Sequence, residues 1–250
     1  MVLLMGEQPR LAVHAWSAWS PERETSAAWL AWAEAPRDEI NAADVAPIAV
    51  PMMLRRRTTA LGQKMIAGAL ACGEAARTGR YVLASRHGEF SRTLGILKSL
   101  TARELPSPAE FSMSVHNGLP GLLSIHTGNT HGHTALAAGL DTFGFGLMEA
   151  AACLAERPHE SVLYFFGDEP LPGEFNTFGK DDVDLPLVVA LALHTPNAEE
   201  EGILFEAVPR NAGSPPSTAA AIDFLRFLLS GEESAVSEGM RMTWIWRRVA

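Results

Sequence analysis

Cysteine is scarce in this chain: two thiols, Cys72 and Cys153, in 250 residues. Two cysteines cannot build a disulfide framework, and neither lies in a C-x-x-C pair. Both sit in apolar, helix-like surroundings and read as buried free thiols. Long apolar runs are missing as well. No stretch reaches the ~18 residues that a membrane-spanning helix needs. The opening MVLLMGEQPR lacks the basic n-region and long apolar h-region of a signal peptide, so the expected location is the cytoplasm. Positive charge is in deficit, with 20 Lys and Arg against 29 Asp and Glu and a formal net charge of −9. That balance argues against a nucleic-acid partner or an anionic membrane surface. Internal repeats, low-complexity segments and the H-E-x-x-H zinc motif are all absent.

What remains is ordinary for a globular chain: 47% hydrophobic and 20% charged residues, in a length sufficient for a real core. Short apolar runs alternate with helical segments. LAVHAWSAW (11–19) reads as a strand entering a turn at Ser20-Pro21, and AAWLAWAEA (27–35) as a short amphipathic helix with Trp29 and Trp32 packed as core or interface residues. Arg55, Arg56 and Arg57 open a long helix through TTALGQKMIAGALACGEAART. At that end they oppose the helix dipole, and acidic partners are expected to hold them. YVLAS (81–85) is a buried strand, followed by the polar turn Arg86-His87-Gly88-Glu89 and a helix to about residue 103. SPAEF (107–111) carries a helix start, with Ser107 as N-cap, Pro108 first and Glu110 third. HTALAA (133–138) fits a short strand, and DTFGFGLMEAAACLAE (141–156) a helix that begins at an Asp cap and stops before Arg157-Pro158. SVLYFFGDE (161–169) is a buried strand with acids at its carboxyl end, and 170–184 an excursion loop. PLVVALAL (186–193) and GILFEAVP (202–209) read as strands paired around Pro196-Asn197. The chain then breaks at GSPPS (213–217), forms a helix over 218–230 and ends in the strand MTWIWRRV. Strands alternating with helices predict an α/β sandwich or doubly wound sheet.

The richest stretch for function is SVHNGLPGLLSIHTGNTHGHTALAAGLDT (114–142), which holds four of the eight histidines. His126, His131 and His133 have an H-x4-H-x-H spacing that would suit zinc, though no further ligand is marked nearby. A metal-dependent hydrolase built on this cluster is one alternative. The other is that the stretch approaches a strand-to-helix elbow. At such an elbow a cysteine gains from the helix dipole, and backbone N–H groups stabilise an oxyanion.

From Ser107 to Glu169 the chain resembles the amino-terminal half of the β-ketoacyl synthases. The resemblance rests on SP-x-x-F, SVHN (114–117), Gly121, Gly128, a short strand and tight turn, a Gly-rich helix start with Glu149-Ala150, and VLYFFGDE with Gly167 and Glu169. Laid on that pattern without gaps from Gly121, the nucleophile's position falls on Leu140. His194-Thr195-Pro196 is only superficially like the family's first histidine motif, and no second histidine motif follows. WSAWSPE, PMMLRRRTTALGQKM and SRHGEFSRTLGIL extend the likeness over residues 10–210. They narrow it to the chain-length-factor-like proteins of aryl polyene and xanthomonadin-type pigment pathways.

The resemblance implies a layered α/β thiolase-like (ketosynthase) fold with a mixed sheet, amino-terminal half only. It spans 1–250 as one domain, of which 211–250 is a divergent helix and strand. It implies a catalytically silent subunit without cofactor, forming a heterodimer with an active β-ketoacyl synthase and meeting acyl carrier protein through that complex. The strand before the elbow would pair across the interface. Arg86, His87, Glu89 and Phe90 would gate the partner's acyl tunnel, with His116, Asn117 and Leu119 nearby, His126 and His133 at the interface and Leu140 in the vacated nucleophile pocket. A stand-alone acyltransferase using Cys153 or Thr142 is the remaining alternative.

Overall fold

A computed structural model describes residues 10–33, 49–173, 175, 186–210 and 220–249. In chain order the elements are β1 (Arg10–Trp19), α1 (Ser26–Trp32), α2 (Met52–Arg55), α3 (Ala60–Ala71), α4 (Ala75–Thr78), β2 (Arg80–Ala84), α5 (Phe90–Thr101), α6 (Pro108–Met113), α7 (Gly118–Thr127), β3 (His133–Leu136), α8 (Thr142–Glu156), β4 (Val162–Asp168), β5 (Leu187–His194), β6 (Gly202–Pro209), α9 (Ala220–Leu229), β7 (Ser234–Glu238) and β8 (Met242–Val249). A single 3-10 turn, Gly139–Asp141, joins β3 to α8.

The strands form one mixed sheet in the order β3-β2-β4-β5-β1-β6-β8-β7, with β3, β2 and β4 parallel and every other pair antiparallel. The continuous apolar runs of β4 and β5 follow from burial on both faces. Val162, Tyr164 and Phe166 point into one core with Phe143 and Leu147 of α8 and Phe224 and Phe227 of α9. Leu163 and Phe165 point into the other, with Met65 and Ile66 of α3 and Leu119 and Leu123 of α7. The result is helix, sheet, helix in three layers, the layered α/β arrangement expected. Trp29 is fully buried and meets Trp32 edge-on at 5.4 Å, as core packing requires.

Four expectations need correction. First, β5 and β6 do not pair with each other. β1 lies between them, giving Ala12–Trp19 to β5 and Arg10 and Leu11 to β6. Second, the long helix after the arginine run is two helices, broken where Cys72 closes α3 and Gly73 turns left-handed at φ 62°. Third, Arg55 ends α2 and does not start a helix, so its charge complements the dipole. Arg56 and Arg57 follow it on the surface, and among the described residues no carboxylate pairs with any of the three. The start of α3 is capped by Thr59, whose Oγ1 accepts from Gly62 N at 3.1 Å. Fourth, the C-terminal strand does not stand alone but is the second arm of a hairpin, β7–β8. The opening MVLLMGEQP, residues 34–35 of the first helix, most of the 170–184 loop, and GSPPS with residues 218–219 lie outside the described residues.

Candidate functional site

The carboxyl ends of the parallel strands β2, β3 and β4 converge on two turns. One follows β2. Asp168, at the end of β4, accepts hydrogen bonds from Ser85 Oγ (3.0 Å), Arg86 N (2.9 Å) and His87 N (3.1 Å). Ser85 Oγ in turn accepts from Gly88 N at 2.8 Å. His116, at the start of the α7 segment, places Nε2 3.0 Å from Ser85 O. Its ring lies against Gly88 (φ 57°), where an added Cβ would stand 3.0 Å from Cε1, so the left-handed conformation calls for glycine and the imidazole leaves little room for a side chain. The turn is therefore a fixed object, bound by one carboxylate below and one imidazole beside it.

Its titration follows from burial. Desolvation pushes Asp168 up to about 6 against the three hydrogen bonds that favour the carboxylate. Desolvation, then Arg86 and His116, lowers His87 to about 4. Glu169 is raised by burial and by the neighbouring Glu89 and Asp168.

Glu89 faces inward. It is 7% exposed and accepts from Thr59 Oγ1 at 2.7 Å, Thr59 N at 3.4 Å and Arg92 Nε at 3.3 Å. Arg92 also binds Glu110 and donates to Arg57 O at 2.9 Å, tying α5 to α6 and to the link between α2 and α3. Glu89 thus holds the start of α3, an anchoring role its place in the polar turn did not suggest. Phe90 is half-buried and meets the rings of Phe175 (5.3 Å) and His87 (6.4 Å) edge-on.

The second turn is the elbow between β3 and α8. Gly139 takes φ 64° and Leu140, half-buried, occupies the middle of the 3-10 turn. Thr142 closes it: its Oγ1 donates to Gly139 O at 2.6 Å and accepts from Ala138 N at 2.9 Å. Asp141 is fully buried but does not cap α8 with its side chain, contrary to the expected Asp cap. Its carboxylate accepts instead from Arg241 N (2.9 Å) and Trp244 Nε1 (3.1 Å), both on the C-terminal hairpin. No local pattern announces that partnership, because the partners lie 100 and 103 residues away.

The structure thus brings Arg86, His87, Phe90 and His116 together, and sets Leu140 on the same sheet edge, where Ser85 N donates to Leu136 O at 3.1 Å. The remaining candidates lie elsewhere. Leu119 is 3% exposed in the core, and Asn117 is exposed at the start of α7. His126 lies in the last turn of α7 on the surface, and His133 opens β3 opposite Tyr81, at the far end of the strand from the elbow. His131 is exposed, its backbone N–H bound to Asn129 Oδ1 at 2.8 Å. Among the described residues no three His, Cys, Asp or Glu side chains converge as a metal ligand set.

The alternative nucleophiles fare poorly by geometry. Thr142 Oγ1 is committed on both sides to backbone. Cys153 is buried within α8, its pKa raised by burial and by Glu149, with its thiol 3.9 Å from that carboxylate. Cys72 is pushed up to about 12 by burial.

Comparison with known proteins adds a framework. Residues 29–247 match the family model described as β-ketoacyl synthase, N-terminal domain. Among solved structures, a chain from the complex of a ketosynthase (ApeO) with its chain length factor (ApeC) from Xenorhabdus doucetiae superposes with a TM-score of 0.80 at 26% identity, covering 96% of this chain and 99% of that one. The ishigamide ketosynthase/chain length factor (TM-score 0.55, 15% identity, 84% and 66% covered) and a β-ketoacyl synthase from Burkholderia phymatum STM815 (0.58, 11%, 87% and 68%) share the fold. No curated protein matches the chain. The mixed eight-stranded sheet is the amino-terminal half of the thiolase-like ketosynthase fold, and the chain belongs to the β-ketoacyl synthase N-terminal domain family.

Proposed function

We propose that the whole chain is one thiolase-like domain acting as the catalytically silent, chain-length-factor-like partner of an active β-ketoacyl synthase in the cytoplasm. It shapes that enzyme's acyl tunnel during elongation on acyl carrier protein in aryl-polyene-type assembly. The observation that carries this reading is the elbow. Leu140 occupies the middle of that turn, the position to which the sequence resemblance assigns the nucleophile, and the next residue is a buried carboxylate at the head of α8. A condensing elbow needs a thiolate and backbone donors for an oxyanion. A hydrocarbon side chain supplies no thiolate, and a carboxylate beside it disfavours a developing oxyanion.

Two further features support a partner. Six of the ten exposed large hydrophobics among the described residues fall between residues 97 and 125: Leu97, Leu100, Leu105, Phe111, Val115 and Ile125. They ride on α5, α6 and α7 and the links between them, a succession packed in turn against β3. Such a concentration of apolar surface is a mark of protein association. Second, β3 has a neighbour on one side only among the described residues, leaving a free strand edge beside that surface. Both fit the pairing named for the similar Xenorhabdus doucetiae complex.

In this arrangement Arg86, His87 and Phe90 sit on the turn nearest the tunnel, while Leu140 closes its depth. Glu89, His116 and Leu119 hold that lining from behind, and His126, His133 and Asn117 lie at the interface. Excluding one further unit needs only overpacking, which costs about 1–3 kcal/mol. Co-expression with a neighbouring ketosynthase tests the proposal. Size-exclusion should give one complex of both chains, and condensation should need both, through the synthase's cysteine alone. Acylation of this chain by itself, detected by mass spectrometry on Cys153 or Thr142, would overturn it in favour of an acyltransferase.

A further inference from the structure

We propose that the C-terminal hairpin β7–β8 positions the elbow: by holding Ala138, Asp141 and the first turn of α8, it fixes where Leu140 stands and so sets the depth at which the tunnel ends. The last step rests on the reading above that Leu140 faces a partner's tunnel, whereas the holding itself does not.

The hairpin turn grips the chain on both sides of Leu140. Behind it, Arg241 Nη2 donates to Ala138 O at 3.3 Å. Ahead of it, Arg241 N donates to Asp141 Oδ2 at 2.9 Å and Trp244 Nε1 to Asp141 Oδ1 at 3.1 Å, with Arg241 Nε 3.7 Å from the same carboxylate. Both carboxylate oxygens are thus satisfied by one hairpin, at 0% exposure. The helix itself does not call for this carboxylate, since Thr142 Oγ1 already closes the turn.

The fit is steric as well as polar. Gly239, whose N–H donates to Met242 O at 2.8 Å across the hairpin turn, leaves the space that the Asp141 carboxylate enters. Gly144 leaves the space that the Trp244 indole enters, and a Cβ at either position would overlap its neighbour. Phe145 then packs edge-on to Trp244 at 5.2 Å, with the Arg241 guanidinium 5.4 Å from its ring. A buried carboxylate whose acceptors are filled by a single element cannot move away from that element without stranding its charge. Leu140 is one residue from that fixed point.

Two readouts test this on the full chain. Leu140→Cys installs a thiol at the elbow, and its rate of maleimide labelling, followed on the peptide containing residue 140, reports how firmly the turn is held. Adding Trp244→Phe keeps an aromatic ring but removes the N–H donor together with part of the indole, so labelling should quicken at least about tenfold, the effect of one charge-assisted hydrogen bond. Arg241→Ala, at a surface side chain, should act in the same direction and serves if Trp244→Phe does not fold. An unchanged rate in the soluble variant overturns the proposal, because a hairpin that merely stabilises the fold would not alter native-state labelling. In the complex with an active ketosynthase, Leu140→Ala and Trp244→Phe should both raise the share of the next longer product. If Leu140→Ala shifts the products and Trp244→Phe does not, the hairpin does not set the depth. If Leu140→Ala itself leaves them unchanged, the tunnel reading fails.

Discussion

In the proposed reading Leu140 and Asp141 together make the elbow inert, and each does so for its own reason. The leucine has no lone pair to offer a thioester. The carboxylate beside it would raise the pKa of any thiol installed there, the reverse of what a helix N-terminus does for a catalytic cysteine. Leu140→Cys is therefore expected to give no condensation by this chain alone, assayed by release of carbon dioxide from a malonyl thioester. The turn after β2 carries a second residue-scale consequence. Burial raises Asp168 from 3.8 to about 6, so the folded state holds its proton more tightly than the unfolded chain does. Its contribution is full below about pH 4, declines as pH rises to 6 and is flat beyond. His87, lowered from 6.5 to about 4, runs the other way, its contribution present above 6.5 and lost as pH falls towards 4. Urea unfolding at pH 4, 5, 6 and 7 should show wild-type stability falling relative to Asp168→Asn between pH 4 and 6. Relative to His87→Gln it should rise over the same interval and up to 6.5.

Helix α8 shows at the scale of one element how small residues set a layer spacing. Gly146 lies so close to the sheet that a Cβ would stand 2.5 Å from Tyr164 Cε2 and 2.8 Å from Ala84 Cβ. Neither neighbour is the loose end of a flexible chain, because Tyr164 is pinned by its hydroxyl to Phe143 O at 2.9 Å. Gly146→Ala should cost about 1–3 kcal/mol by overpacking, measured as a lower urea midpoint at unchanged slope. Elements of this kind were legible wherever one segment carried its own signal: Ser107 capping α6, the apolar runs of β4 and β5, the stop of α8 before Pro158. They were illegible where a distant segment decided. The interposition of β1 between β5 and β6 is a choice of partner, which no local period encodes. Asp141 has the composition of a cap and a different use, because Trp244 and Arg241 reach it from across the fold. The candidate site was half legible for the same reason: the 86–90 turn could be marked by its polarity, but not the inward anchoring of Glu89 by Thr59 or the hold of Asp168 beneath it.

Across the whole molecule the two ends of the sheet are unlike. One is finished by the β7–β8 hairpin, stitched to α9 through Arg248, which donates to Phe227 O and Ser230 O at 2.6 and 3.0 Å. The other stops at β3, beside apolar side chains on α5 to α7 that find no cover within the described chain. Leu97→Asp with Leu100→Asp should therefore weaken association with a co-expressed ketosynthase at least ~10-fold, read by co-purification, while far-UV circular dichroism and the unfolding midpoint stay near wild type. The bare rungs of β3 carry a cost of their own. An open strand margin accepts any strand that arrives, a second copy of itself included. Subunits made in excess of their counterpart should therefore stack and leave solution. The soluble yield of this chain, measured across a range of synthase co-expression levels, is expected to track the supply of the other subunit.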